Sequence, residues 1–134
     1  MIAIIDYDAG NIKSVEKALV HLGEEPVITR DREVILASDK VILPGVGAFG
    51  DAAKKLKETG LGEIVKQEAK SGKPLMGICL GMQLLLETGY EYGVYEGLGL
   101  IPGEVRPIRD VIPKDYKIPH IGWNNLAYPN QGRL

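Results

Sequence analysis

Four short apolar runs, with helix-like stretches between them, constrain this chain more than any other feature. They are Ile2–Ile5, Pro26–Thr29, Lys40–Leu43 and Pro74–Ile78. A short continuous apolar run closed by polar or turn residues is the pattern of a strand covered on both faces. After the turn Asp8-Ala9-Gly10-Asn11, the residues Ile12, Val15, Ala18, Leu19 and Leu22 recur at helical spacing, and Gly23 stops that helix. Glu33–Ala37 reads as a small helix. Phe49–Leu56 and Leu61–Ala69 read as two helices separated by Gly60, and Leu80–Glu87 as another after the fourth run. The expected fold is therefore α/β, a three-layer and mostly parallel sheet with helices on both faces. Beyond Gly89, glycines and prolines punctuate short β-like pieces. No repeat, linker or low-complexity tract divides the chain, so residues 1–134 read as a single domain.

Composition narrows the function classes. A formal net charge of −2 gives no basic surface for nucleic acid or membrane. The apolar start, Ile2–Ile5, is too short for a secretory signal, and no run approaches a membrane span. One cysteine forms no internal disulfide and suits a reducing compartment, so a cytoplasmic location is expected.

That cysteine lies in Gly77-Ile78-Cys79-Leu80-Gly81, where a strand gives way to a helix. This is the arrangement of a nucleophile elbow, with Cys in place of Ser. An elbow holds its nucleophile in a strained backbone conformation, and glycines two before and two after leave the room it needs. The helix presents its positive end and the Leu80 N–H, a donor suited to an oxyanion. Gln83, four residues after Cys79, shares its helix face and is placed to touch whatever Cys79 attacks. A lone cysteine is also a common core residue. Packing alone gives little reason for glycine on both sides of it.

Pro44-Gly45-Val46-Gly47 follows the third run, at the strand end where ligands bind in such sheets. Two glycines allow a backbone N–H to approach a substrate closely, and hydrolase-like sites draw a second oxyanion donor from this place. An ordinary strand–helix loop has the same look, but its pairing with the Cys79 turn favours function. No Lys-Ser/Thr pair follows, which argues against a phosphate loop.

The segments "MIAIIDYDAGNIKSVEKAL", "VILPGVGAFGDA", "GKPLMGICLGMQLLLE", "GLGLIPGEV" and "IPHIGWN" occur in this order. From Met1 to about Tyr128 the chain resembles the glutaminase subunits of imidazole glycerol phosphate synthase. These are class I, triad-type glutamine amidotransferases of histidine biosynthesis with a flavodoxin-like fold. The resemblance implies that Cys79 attacks the side-chain amide of glutamine, releasing ammonia and leaving a γ-glutamyl thioester that water hydrolyses to glutamate. It implies oxyanion donors at Leu80 and at Val46 or Gly47, and glutamine contacts from Gln83, Glu91 and Gly45. It implies no cofactor and no metal. Ammonia would pass to a (β/α)₈-barrel cyclase subunit, which makes imidazole glycerol phosphate and an aminoimidazole carboxamide ribotide. Asn11, His120, Trp123 and Asn124 would lie near that partner, and tryptophan suits an interface core. Other readings are a triad amidotransferase of purine, pyridoxal phosphate or anthranilate synthesis, a cysteine hydrolase of the same fold, and a non-catalytic docking fragment.

Two departures from the family pattern stand out. Asp8 stands where the family often has glycine, and aspartate tolerates turns well, so an adjusted turn is expected. The family's catalytic base and its orienting group come from an H-x-E motif, and this sequence has none. His21 reads as a solvated helix residue and His120 as a strand residue at the partner face. The expectation is thus a domain incomplete at its C-terminal side, with little glutaminase activity alone and an open sheet edge prone to self-association.

Overall fold

The computed structural model describes residues 1–132. Strands β1 (Ile2–Ile5), β2 (Pro26–Thr29), β3 (Lys40–Leu43) and β4 (Leu75–Gly77) form one sheet in the order β2-β1-β3-β4, every neighbouring pair parallel. The first strand lies inside and the chain winds outward both ways, as in flavodoxin-like sheets. The helices are α1 (Ile12–His21), α2 (Arg32–Ala37), α3 (Phe49–Glu58), α4 (Leu61–Lys70) and α5 (Leu80–Leu84).

Side chains alternate across each strand, and the two faces are covered unequally. Ala3, Ile5, Val41 and Leu43 join Ile35 of α2, Phe49 and Leu56 of α3, Leu61 and Val65 of α4, and Leu80 and Leu84 of α5 in the main core. Ile2, Ile4 and Ile42 point the other way and are buried, with α1 packed over β2 on that side. No residue of α1 is fully buried. Met76, next to Ile42 in the same row, is 47% exposed. Glu68 of α4 is buried and ion-paired with Lys73. The Lys73 ammonium also donates to the carbonyls of Ile35 and Leu36, at 3.0 and 2.9 Å, at the end of α2. One pair thus ties α4 to the last carbonyls of α2, of which Ile35's also accepts from the N–H and hydroxyl of Ser38 at the helix end.

The helix expected to reach Glu87 ends at Leu84, and Leu86–Gly89 is strand β5. It pairs with β6 (Tyr95–Glu96) antiparallel and β7 (Ile101–Val105) parallel. The cause lies downstream. The carbonyls of Leu84, Leu86 and Glu87 accept from the N–H groups of Leu98, Gly99 and Gly97, at 2.8, 3.0 and 2.8 Å, instead of continuing a helix. A Cβ on Gly97 would overlap the Leu86 carbonyl, so only glycine permits that approach. Residues 106–132 carry one short 3₁₀ turn, Ile108–Asp110, and are otherwise irregular and mostly exposed. His120 therefore does not lie in a strand.

Candidate active site

The loops that leave the carboxyl ends of β1, β3 and β4 meet at Cys79. Its backbone sits at φ 56°, ψ −118°, a region that side chains with a Cβ rarely occupy. The glycines on either side make this possible by contact. A Cβ on Gly77 would lie 2.5 Å from Met82 Cα, and one on Gly81 would overlap the carbonyl oxygen of Leu43. Helix α5 therefore sits directly on the ends of β3 and β4. The chain turns so sharply there that Cys79 stands exposed at the apex. The Gln83 N–H donates to the Cys79 carbonyl at 3.2 Å, which sets the two residues one helical turn apart. The Leu80 N–H donates to no group among the described residues, leaving it free for an oxyanion.

The turn after β3 presses against the elbow. Gly45 is buried so tightly that a Cβ would lie 2.6 Å from Tyr7 Oη and 2.9 Å from the Gly81 nitrogen. The Tyr7 hydroxyl donates to the Pro44 carbonyl at 2.6 Å. Burial, with a smaller contribution from the nearby Cys79, pushes the Tyr7 phenol up to about 12. Beyond Gly45 the turn opens to solvent, with Val46 exposed and Gly47 at φ 101°. Among the described residues the amides of Val46 and Gly47 donate to nothing. The loop after β1 stacks on the same turn, where a Cβ on Gly10 would lie 3.3 Å from Gly45 Cα.

Asp8 takes the expected adjusted turn, at φ 63°. Arg30 Nη2 bridges the Asp6 and Asp8 carboxylates at 2.9 and 2.8 Å, and Lys55 donates to the Asp8 carbonyl at 2.8 Å. The Arg30 guanidinium holds the Asp8 carboxyl below its usual range. A cavity of about 250 Å³ separates this loop from Val46 and Gly47. Glu91 lies just beyond the Gly45–Gly47 turn, its Oε2 3.4 Å from the N–H of Phe49 at the start of α3.

The structure thus sets Leu80 and Gln83 beside Cys79 and the turn of Gly45, Val46 and Gly47 against that elbow, with Glu91 meeting the start of α3 just after the turn. Asn11 is exposed just before α1, where its side chain makes no capping bond. His120 and Asn124 lie 3.5 Å apart in the exposed irregular segment, and Trp123 there is wholly solvated rather than core-filling. Among the described residues no side chain hydrogen-bonds the Cys79 sulfur, and no group of His, Cys, Asp and Glu could hold a metal. Sequence reasoning missed Tyr7 and Arg30. The only signal for Tyr7 was an aromatic residue just past a buried strand, and for Arg30 a cation at the end of a neighbouring one.

An exposed thiol in an elbow, with the unpaired amide of Leu80 beside it and those of Val46 and Gly47 in the adjoining turn, is suited to acyl transfer. A family model described as glutamine amidotransferase class-I matches residues 3–128. The chain belongs to the class-I glutamine amidotransferases. It is 56% identical, over 94% of its length, to imidazole glycerol phosphate synthase subunit HisH of Bacillus cereus. It is 53% identical, over 95% of its length, to the subunit of that name from Carboxydothermus hydrogenoformans. The chain spans 58% and 62% of the length of these two relatives. A solved structure titled as a glutamine amidotransferase aligns with 78% of this amidotransferase chain and 55% of its own, at a TM-score of 0.66 and 23% identity, a likeness of fold.

Proposed function

We propose that this chain carries the glutamine-hydrolysing site of an imidazole glycerol phosphate synthase. The carrying observation is Cys79, exposed in its strained elbow beside unpaired backbone N–H groups. In this reading the Cys79 sulfur attacks the side-chain carbonyl carbon of glutamine. A C–S bond forms, the C–N bond breaks, and nitrogen leaves as ammonia with the proton that the thiol gave up. The oxyanion of the tetrahedral intermediate is held by the Leu80 N–H and by an N–H of Val46 or Gly47. Gln83 and Glu91 bind the polar groups of glutamine, with Glu91 facing its α-ammonium, and Gly45 keeps the floor of the site bare. Water then cleaves the thioester to glutamate.

Ammonia would be consumed by the cyclase subunit, which we place against Asn11, His120, Trp123 and Asn124. The similarity to the HisH subunits supports that partner. A thiol mechanism needs a base within reach, and among the described residues none bonds the Cys79 sulfur. Glutamate release by these residues alone is therefore expected to stay near background. Mass spectrometry of Cys79 tests the substrate class. A glutamine-mimicking diazoketone is expected to label Cys79 where a peptide-based probe does not. The reverse selectivity would point to a cysteine hydrolase, and a full rate of glutamate release abolished by His120→Ala would refute the missing base.

A further inference from the structure

The segment that carries Glu91 is bolted to α3 by two aromatic rings and three glycines. The Phe49 ring lies against Gly89, where a Cβ would come 2.5 Å from its Cδ1. The Tyr95 ring lies flat on Gly50, where a Cβ would come 2.6 Å from its Cζ. The ring also borders Gly93, where a Cβ would come 3.1 Å from Cε2. The turn between Glu91 and Tyr95 is wound tightly, with Tyr92 at φ 54° and Gly93 at φ 142°. That winding folds the chain around the Tyr95 ring. Glu91 precedes the turn, and its carboxylate reaches the Phe49 N–H, one residue from the Gly50 on which Tyr95 rests. Tyr95 thus fastens the chain just after Glu91 to the helix whose first amide Glu91 meets. Among the described residues no salt bridge links the two, and the Tyr95 hydroxyl makes a 3.4 Å bond to the Tyr92 carbonyl of its own turn.

We propose that Tyr95, through its ring on Gly50, is a positioning residue that sets Glu91 for the substrate's ammonium group. The proposal rests on the glutamine reading above. The pairing of β6 with β5 holds the far end of the turn whatever side chain stands at 95. Removing the ring therefore takes away only the packing of the 91–94 stretch on α3 and lets the carboxylate swing away from it. Cys79 is untouched, since its elbow is built from Gly77, Gly81 and the end of β3. Affinity for the ammonium-bearing ligand falls while the chemistry of the thiol stays the same. A role in folding alone would move both or neither.

The test measures how fast iodoacetamide alkylates Cys79 in the intact chain, with and without glutamine. Alkylation needs only the thiol, so its rate without glutamine reports the elbow. The glutamine concentration that halves the rate reports binding. Tyr95→Ala is expected to raise that concentration about tenfold, the scale of one lost charge-assisted contact, with the glutamine-free rate unchanged. Gly50→Ala, which forces the ring away, is expected to match it, and Tyr95→Phe to behave as the parent chain. Glu91→Gln is expected to give the same rise, and its combination with Tyr95→Ala no further rise. If the parent chain is not protected by glutamine at all, the glutamine reading itself fails. Should glutamine protect the parent and Tyr95→Ala equally, Tyr95 has no positioning role and the reading stands. A changed glutamine-free rate in Tyr95→Ala would make the residue structural and overturn the proposal.

Discussion

Single atoms decide the geometry at Cys79. The missing Cβ of Gly81 is occupied space, because the Leu43 carbonyl already fills it. Gly81→Ala is expected to cost about 3 kcal/mol or more, the scale of severe overpacking, read as a lowered midpoint of urea unfolding. A variant as stable as the parent would mean that α5 does not sit on β3 as described. Much of this was legible in the residues themselves, since glycines flanking a cysteine at a strand end have few purely structural explanations. What could not be read was which neighbour excludes each side chain. Gly77 is pressed by Met82 of its own turn, Gly81 by a strand distant in sequence, and Gly45 by Tyr7 from a third element. Such clearances depend on the packed tertiary structure and leave no local trace. Asp8 shows the same limit. Its tolerance of a left-handed turn was foreseeable, but the clasp on Arg30 and Lys55 needs β2 and α3 in place.

At the scale of elements, the four parallel strands and the first four helices follow from apolar periodicity and turn residues. α5 did not, because the apolar spacing of Leu84, Leu85 and Leu86 continues a helix while hydrogen bonds from residues 97–101 convert the chain to strand. Tertiary pairing overrode local preference there. The bond between α2 and α4 is likewise invisible in a linear reading, since it joins Glu68 and Lys73 to carbonyls more than thirty positions away. Breaking a buried pair from one side leaves the other charge uncompensated. Glu68→Ala is expected to destabilise the chain by about 3 kcal/mol, and Glu68→Ala with Lys73→Met to recover part of that. Denaturant unfolding of both variants is the check, and an unaffected single variant would show the pair to be without consequence.

For the molecule as a whole, the described residues divide into a packed body and an exposed stretch that carries Tyr116, Ile121, Trp123, Leu126 and Tyr128 on its surface. Trp123 is the one tryptophan in the chain, so its fluorescence reports that stretch alone. Emission of the free chain is expected to match that of the urea-unfolded chain. Adding the cyclase subunit of an imidazole glycerol phosphate synthase is expected to shift it to shorter wavelength. Emission already at short wavelength in the free chain would contradict the exposure, and no shift on saturation would contradict the partner surface. The glycine contacts at the site bear on redesign as well. Gly10, Gly45 and Gly81 meet where three loops converge, so a methyl group added to one is felt by the others. A library that randomises this centre would mostly sample unfolded chains, whichever substrate was used for selection. New specificity is better sought around the rim, at Val46, Gln83 and Glu91, where side chains border open space and the frame beneath them is left unchanged.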